Sequence, residues 1–329
     1  MALVLKSKFP RELDPVPKVL VTGATGFIGS VLVRRLAMEL ISSRVYSRAS
    51  YQDCFNSVVR QEDWYKGSLF DEQEMLAAMA SVDTVVHLAG IAHTHTARSG
   101  EYDAVNVEGT KCVYRACVGA RVSRLIYVSS IRAETPTSSC YARSKWASEQ
   151  YLRDEFKANS QVEITILRPA NVYGVGMKGG LEDYIRLAIK PYMPPLPRVP
   201  TKFSLVSVDD LCAVIIKEIS SKPQKGRIRR FTVSDERKYT PRDIEDIVWG
   251  SIGRARFFSS TPRCLFFLAA GLAELANFSG IRKNQIGLRL YRTLLGSQDA
   301  SSGESFPRYD HASTVSLEDA MPKILASLA

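Results

Sequence analysis

Residues Val19-Leu-Val-Thr-Gly-Ala-Thr-Gly-Phe-Ile-Gly-Ser30 constrain the fold more than any other stretch. An apolar run leads into three glycines spaced three apart, and an amphipathic segment follows. The pattern reads as a buried strand, a tight turn and the start of a helix. Gly23 permits the turn, Gly26 lets backbone approach a pyrophosphate, and Gly29 lets helix and strand pack closely. The helix N-terminus then offers unpaired N–H groups to phosphate oxygens.

The first half of the chain repeats this alternation. Strands are expected at 18–22, 44–47, 62–66, 84–88, 125–128 and 162–167. Helices are expected at 28–40, 72–80 (capped by Asp71), 103–119 and 141–157. Thr84-Val-Val-His-Leu88 is apolar nearly throughout, as suits a central parallel strand. The rhythm predicts an α/β fold with a doubly wound parallel sheet and a ligand crevice at the strand C-termini. It breaks at Lys190–Pro200, where five prolines forbid a helix or a central strand. That segment is expected to be a loop over the cleft. Strands at 203–208 and 229–233 and helices at 209–221, 241–252, 262–278, 285–295 and 316–327 are expected beyond it. Residues 1–168 are read as the nucleotide-binding domain. Residues 169–329 are read as mainly a substrate lobe, with some segments returning to the first domain.

The 329 residues suffice for such a fold, and 45% apolar with 24% charged content is ordinary for a globular protein. The net charge of +10 favours anionic ligands. Lysine and arginine are scattered, with one short cluster at 225–230, so nucleic-acid binding is not expected. The six cysteines form no Cys-x-x-Cys and suggest buried thiols in a reducing compartment, with no metal site. The four-residue apolar run before Lys6 is too short for a secretory signal. The apolar segment 264–278 is interrupted by Glu274 and too short to span a bilayer. It reads as a packed helix, with a peripheral membrane contact as the alternative. Cytoplasmic location is the expectation.

Tyr141 and Lys145 stand one helical turn apart and so share a face. A tyrosine with an ordinary pKa of about 10 is a poor base at neutral pH. A neighbouring ammonium favours its phenolate and brings it toward acid/base work. Ser130, at the end of an expected strand, supplies a hydroxyl for the same substrate oxygen. After the second strand no acid appears until Asp53, where one would select NAD through the ribose. Arg48 and Ser50 instead suit the 2′-phosphate of NADP, with adenine stacking by Arg48 the alternative.

Taken together, these motifs resemble the extended short-chain dehydrogenase/reductases of the NAD-dependent epimerase/dehydratase family. The resemblance covers roughly residues 17–220. It is carried by Thr22–Gly29, His87-Leu-Ala-Gly90, Asn106-Val-Glu-Gly-Thr110, Val128-Ser-Ser130, Tyr141-x-x-x-Lys145, Leu167–Gly174 and Val208-Asp-Asp-Leu211. It implies a Rossmann-type sheet with a smaller C-terminal α/β lobe. Cofactor contacts are implied from Gly23, Thr25, Gly26, Phe27, Ile28, Gly29, Arg48, Ser68, Leu69, Leu88, Ala89, Gly90, Tyr141, Lys145 and Pro169. Substrate contacts are implied from His93, Ser130, Asn171 and Lys202, with Arg198, Arg282 or Arg289 as other candidates for a pyrophosphate. Asn106 is implied to brace the site. A homodimer is implied through helices 103–119 and 141–157.

Finer features point within the family. His93, Tyr173–Gly179 and Pro195-Leu-Pro197 resemble a subgroup acting on UDP-N-acetylhexosamines, the alternative for His93 being an ordinary loop histidine. The chain departs from its relatives in a short Ser130–Tyr141 connection, in Ser68 where an aspartate is common, and in lacking an Asp-Glu pair after Ser130. The last departure speaks against a 4,6-dehydratase. The expected activity is hydride transfer at C4 of a UDP-sugar, as a 4-keto reductase using NADP. The alternatives are an NAD-using UDP-glucose or UDP-N-acetylglucosamine 4-epimerase, a steroid or small-carbonyl dehydrogenase, and a non-catalytic NADP-binding regulator.

Overall fold

The computed structural model describes residues 19–53, 58–92, 99–191, 195–255, 260–262, 264–265, 268, 271, 309–310 and 313–328. Expectations for His93, Arg282, Arg289 and the helix at 285–295, and most of that at 262–278, lie outside these residues.

The strands are β1 (Val19–Thr22), β2 (Ser43–Ser47), β3 (Trp64–Lys66), β4 (Thr84–His87), β5 (Arg124–Val128), β6 (Glu163–Pro169), β7 (Asn171–Tyr173), β8 (Phe203–Ser207), β9 (Ile228–Val233) and β10 (Lys238–Tyr239). The helices are α1 (Phe27–Met38), α2 (Glu72–Ala78), α3 (Ser99–Tyr102), α4 (Gly109–Gly119), α5 (Cys140–Ala158), α6 (Gly180–Ala188), α7 (Val208–Ser220), α8 (Pro241–Ser251) and α9 (Leu317–Leu328). Seven strands form one sheet in the order β3-β2-β1-β4-β5-β6-β9, and every pairing in it is parallel. The strand order reverses between β1 and β4, which opens a crevice at their C-terminal ends.

Alternation along the strands sends side chains to two cores. Val19, Val21, Val45 and Val86 pack with Leu32, Val33 and Leu36 of α1 and with Leu211, Val214 and Ile215 of α7. Leu20, Val85, Leu125 and Ile164 pack on the other face with Met75 of α2, Val113 and Cys117 of α4, and Leu152 of α5. Covering both faces explains why the central strands read as continuous apolar runs. Cys112, Cys117 and Cys212 are buried thiols, whereas Cys264 is exposed, contrary to the expectation for it.

The expected helix at 103–119 is longer and interrupted. α3 runs into a π-helical turn at Asp103–Glu108 before α4 begins. Such wide turns recur at functional sites. Helix starts follow the sequence signals. Asp71 Oδ1 accepts from the Glu74 N–H at 3.1 Å, Ser139 Oγ from Ala142 N–H at 3.1 Å, and Thr240 with Asp243 forms a capping box on α8.

After Pro169 the chain leaves the large sheet. β7 and β8 pair in parallel and β10 joins β8 antiparallel. α6, α8 and α9 complete the core of this lobe through Tyr184, Ile185, Ile244, Val248, Leu317 and Met321. The chain then returns: α7 packs on the α1 side and β9 extends the large sheet. The proline-rich segment differs from expectation. Pro195–Pro197 are buried, Leu196 enters the lobe core, and its N–H donates to buried Glu245 at 2.9 Å. Residues 195–200 therefore brace the lobe and do not line the cleft. Among the described residues no helix is long and apolar enough to cross a membrane.

Two buried polar clusters tie distant segments together. At the strand N-termini, Arg124 pairs with Glu163 at 2.8 Å, and Arg229 bridges Glu163 at 3.1 Å and Glu218 at 2.6 Å. Beyond β8, Asp210 accepts from Ser207 Oγ at 2.7 Å, Thr314 Oγ1 at 2.6 Å and Thr314 N–H at 2.9 Å, fastening the approach to α9. Burial raises the Asp210 carboxyl pKa, but these hydrogen bonds outweigh it and hold the group below the ordinary carboxylate range. A folded-state pKa below the unfolded value gives stability that is present above the unfolded pKa of about 3.9. That stability disappears as pH falls through the folded value. Asp210→Asn is therefore expected to cost about 1–3 kcal/mol at pH 7. Its loss of stability below pH ~4 should be shallower than the wild type's. Urea unfolding at a series of pH values measures both.

Candidate active site

The turn after β1 is built from backbone. Gly23 takes φ +73°, and a Cβ there would lie 2.5 Å from Ala89 N. A Cβ on Gly29 would run into the Gly23 carbonyl and lie 2.7 Å from Ala24 Cα. Gly26 caps α1 without a side-chain hydrogen bond, and the first turn of α1 carries no acid. The leading N–H groups are thus left without a competing anion, as phosphate binding needs. A Cβ on Gly90 would sit 2.8 Å from Asn106 Oδ1, so the chain also passes tightly after β4. These features fit a bound dinucleotide.

A buried polar chain holds the two central strands in place. Thr110 Oγ1 donates to Asn106 O at 2.6 Å, so its hydroxyl proton is already used. His87 Nε2 then donates to Thr110 Oγ1 at 3.1 Å, and His87 Nδ1 accepts from Thr22 Oγ1 at 2.8 Å. Burial, reinforced by the positive Lys145, lowers the His87 pKa to about 3, and the ring is neutral at ordinary pH. Asn106 sits in the π-helical turn and binds Ile91 twice, accepting its N–H at 2.9 Å and donating to its carbonyl at 3.0 Å. It also donates to Ser144 Oγ at 2.9 Å, which connects the strand end to α5.

α5 carries Tyr141, Lys145 and Glu149 on one face at four-residue spacing. Glu149 is fully buried and accepts from Ser129 Oγ at 2.6 Å, Arg168 at 2.8 and 2.7 Å, and Arg230 at 3.3 Å. Lys145 Nζ donates to Val128 O at 3.0 Å and stands 4.8 Å from the centre of the Tyr127 ring. Burial lowers its pKa to about 8 against the pull of Glu149, so it is still mainly cationic at neutral pH. Ser130 Oγ accepts from the Arg132 N–H at 3.2 Å. Burial raises the Tyr141 pKa, while Ser130 and the Arg132 guanidinium act to lower it. The sequence places the charge acting on Tyr141 at Lys145. In the structure Lys145 donates to the carbonyl at the end of β5, and Arg132 also lines the cleft.

These groups meet in a cleft of about 970 Å³, at the upper end of the range of roughly 300–1,000 Å³ for small-molecule sites. Gly23, Thr25, Gly26, Phe27, Ile28, Gly29, Leu88, Gly90, Ser130, Tyr141, Lys145, Pro169 and Asn171 all line it. Ala89, Arg48, Ser68, Leu69 and Lys202 do not. Ala89 packs behind Gly23, Arg48 is exposed just after β2, Leu69 packs on Gly109, and Lys202 is exposed before β8. Ser68 accepts a hydrogen bond from Tyr46 through its carbonyl at 2.9 Å. Sequence reasoning missed Tyr102, whose ring centre lies 6.2 Å from that of Tyr141, and the α6 residues Asp183, Tyr184 and Leu187. α6 was legible from apolar Leu181, Tyr184, Ile185 and Ala188 at helical spacing behind acidic Glu182 and Asp183.

Comparison with known proteins gives the family. Residues 19–225 match the NAD dependent epimerase/dehydratase family, and the chain belongs to it. A UDP-glucose 4-epimerase of Vibrio cholerae is 29% identical over 67% of this chain and 71% of that protein. A ceramide reductase of Caulobacter vibrioides is also 29% identical, over 60% of this chain and 59% of its own length. The Thermotoga maritima UDP-glucose 4-epimerase structure superposes with a TM-score of 0.65 at 19% identity, covering 94% of this chain and 98% of that one. The last likeness is one of fold.

Gly23→Ala tests the cradle. A side chain at positive φ whose Cβ meets backbone atoms is expected to lower the melting temperature and weaken dinucleotide binding at least tenfold. Calorimetry and a fluorescence titration with reduced cofactor measure the two effects.

Proposed function

We propose that the protein transfers hydride at C4 of a nucleotide sugar, UDP-linked, as a 4-keto reductase that uses NADP. The observation that carries this reading is the convergence of Ser130 and Tyr141 on the cleft that also receives the free N-terminus of α1. A nicotinamide dinucleotide, when bound, supplies or accepts the hydride. Gly23, Gly26 and the first turn of α1 receive its pyrophosphate, and Lys145 holds its nicotinamide ribose. Ser130 orients the substrate carbonyl oxygen, and Tyr141 gives that oxygen a proton as the carbonyl is reduced. Burial keeps the Tyr141 hydroxyl protonated at neutral pH, the form a proton donor needs. Asn171, at the start of β7, lines the sugar end of the cleft. Removal of water is not proposed, because Arg132 and Ala133 follow Ser130 where a dehydratase needs acids.

The NADP preference rests on the missing acid after β2 and on exposed Arg48 at that strand's end. An NAD-using 4-epimerase is the second reading, favoured by the name of the V. cholerae relative. Neighbouring folds crystallised with NAD and UDP or UDP-glucuronic acid support a UDP-linked substrate for either reading. A homodimer through α4 and α5 and a cytoplasmic location belong to the same proposal.

Tyr141→Phe is expected to lower turnover of a UDP-4-keto sugar at least ~100-fold while cofactor binding persists. Full turnover in steady-state assays of that variant would remove the mechanism. Arg48→Ala is expected to weaken NADPH about tenfold or more, the worth of a hydrogen bond to a charged group. NADH binding should be unchanged. Calorimetric titration of both cofactors decides, and equal NADPH affinity before and after the change favours NAD. Mass spectrometry of the denatured protein separates the two readings: tightly held NAD+ in stoichiometric amount marks an epimerase.

A further inference from the structure

In the short turn Ile131–Glu134 that follows Ser130, only Arg132 lines the cleft. Ile131 and Ala133 are buried, and Glu134 pairs with Arg168 of β6 at 3.6 Å. The side chains of that pair are 7% and 3% exposed, so salt screens it little. Among the described residues it is the one ion pair made by the connection 131–139. Arg168 also holds Glu149 of α5 through two nitrogens, and Arg230 of β9 reaches the same carboxylate. Two guanidinium groups thus share one fully buried carboxylate. Excess buried positive charge is costly, and Glu134 supplies the second negative charge. The same cluster fastens the chain ahead of Ser130. Ser129 Oγ donates to Glu149 at 2.6 Å, and Ser129 N–H donates to Leu167 O on β6 at 2.7 Å. Behind Ser130 the turn is closed by local bonds, from Ala133 N–H to Ser130 O at 3.0 Å and from Thr135 N–H to Arg132 O at 3.1 Å.

We propose that Glu134 is a positioning residue: its ion pair with Arg168 anchors the turn after β5 and so holds the Ser130 hydroxyl where the substrate oxygen is bound. The proposal rests on the reading of Ser130 as the group that orients that oxygen. Glu134 itself lies outside the cleft wall and so acts through Ser130. Burial of Ile131 and Ala133 keeps the turn against the protein, but apolar burial has no direction. A buried ion pair to a strand neighbour of β5 does have one, and it fixes where the turn sits along the sheet edge. Orientation of this kind matters to rate, because a misplacement of about 1 Å can cost ~100-fold. Burial raises the Glu134 pKa and Arg168 opposes that rise, in keeping with the pairing.

The test uses the full-length protein and Glu134→Gln, which keeps the shape of the side chain and removes its charge. Glu149 still holds Arg168 in that variant. Hydrogen–deuterium exchange comes first and needs neither substrate nor cofactor. The amides of Ala133 and Thr135 are expected to exchange at least ~10-fold faster in Glu134→Gln, with those of α5 and β6 unchanged. Turnover of a UDP-4-keto sugar with NADPH is then compared in wild type, Glu134→Gln, Ser130→Ala and the double variant. Glu134→Gln should lower kcat about tenfold or more while NADPH affinity stays the same. In the Ser130→Ala background the same change should cost less than about twofold, because the two residues act as one unit. A merely structural role would slow both backgrounds alike. Equal losses in the two backgrounds, an unchanged kcat in Glu134→Gln, or unchanged exchange at Ala133 and Thr135 overturns the proposal. If Glu134→Gln does not fold, Glu134→Asp, which keeps the charge and shortens the reach, goes through the same comparison. Full turnover in Ser130→Ala removes the reading of Ser130 itself. A slow Ser130→Ala beside a fast Glu134→Gln removes only the present proposal, so the two failures are told apart.

Discussion

The site depends on how closely three pieces of backbone approach one another at the end of the central strands. Gly23 lies against Ala89, Gly29 lies against the Gly23 carbonyl, and Gly90 lies against Asn106. At Gly23 and Gly29 a Cβ would meet backbone, and at Gly90 it would displace the Asn106 side chain. Their consequence is electrostatic as much as steric. α1 begins immediately beyond the turn with no acid and no capping side chain, so the positive end of its dipole faces the crevice between β1 and β4. Neutral His87 and doubly bonded Asn106 keep the strand ends from drifting, through hydrogen bonds spanning β1, β4, α4 and α5.

Burial sets the charge states around this crevice. The four-residue spacing on α5 brings a phenol, an ammonium and a carboxylate into line. Arg168 and Arg230 already saturate Glu149, so it offers Lys145 little compensation. Desolvation therefore prevails, and Lys145 falls to about 8. The same balance keeps the Tyr141 hydroxyl protonated, with Arg132 as the cation that opposes it. At the far end of the sheet the Arg124–Glu163–Arg229–Glu218 cluster is more fully paired, and it joins segments instead of shaping a pocket.

Much of this was legible in the residues. The apolar runs at Val19 and Thr84, the glycine spacing and the Tyr141–Lys145 interval foretell the central strands, the cradle and the shared helix face, because each depends on local periodicity. The π-helical turn at Asp103–Glu108 was not legible, since it arises where Asn106 must reach Ile91 across the chain. Nor was the role of Pro195–Pro197. Proline content rules out a helix but does not reveal that Leu196 would fill a core and find Glu245 as a partner. Spacing shows that Lys145 shares the face of Tyr141, whereas the turn after Ser130, held by the burial of Ile131 and Ala133, depends on the folded chain.

The central claim is that the cradle of α1 and the Ser130–Tyr141 pair serve one hydride transfer at C4. The most direct measurement supplies NADPH deuterated at C4 of the nicotinamide together with a UDP-4-keto sugar, and reads the product by NMR. The account predicts one deuteron per turnover, on C4 of the sugar and on a single face. Deuterium at another carbon, or none in product formed while the cofactor is bound, would contradict it.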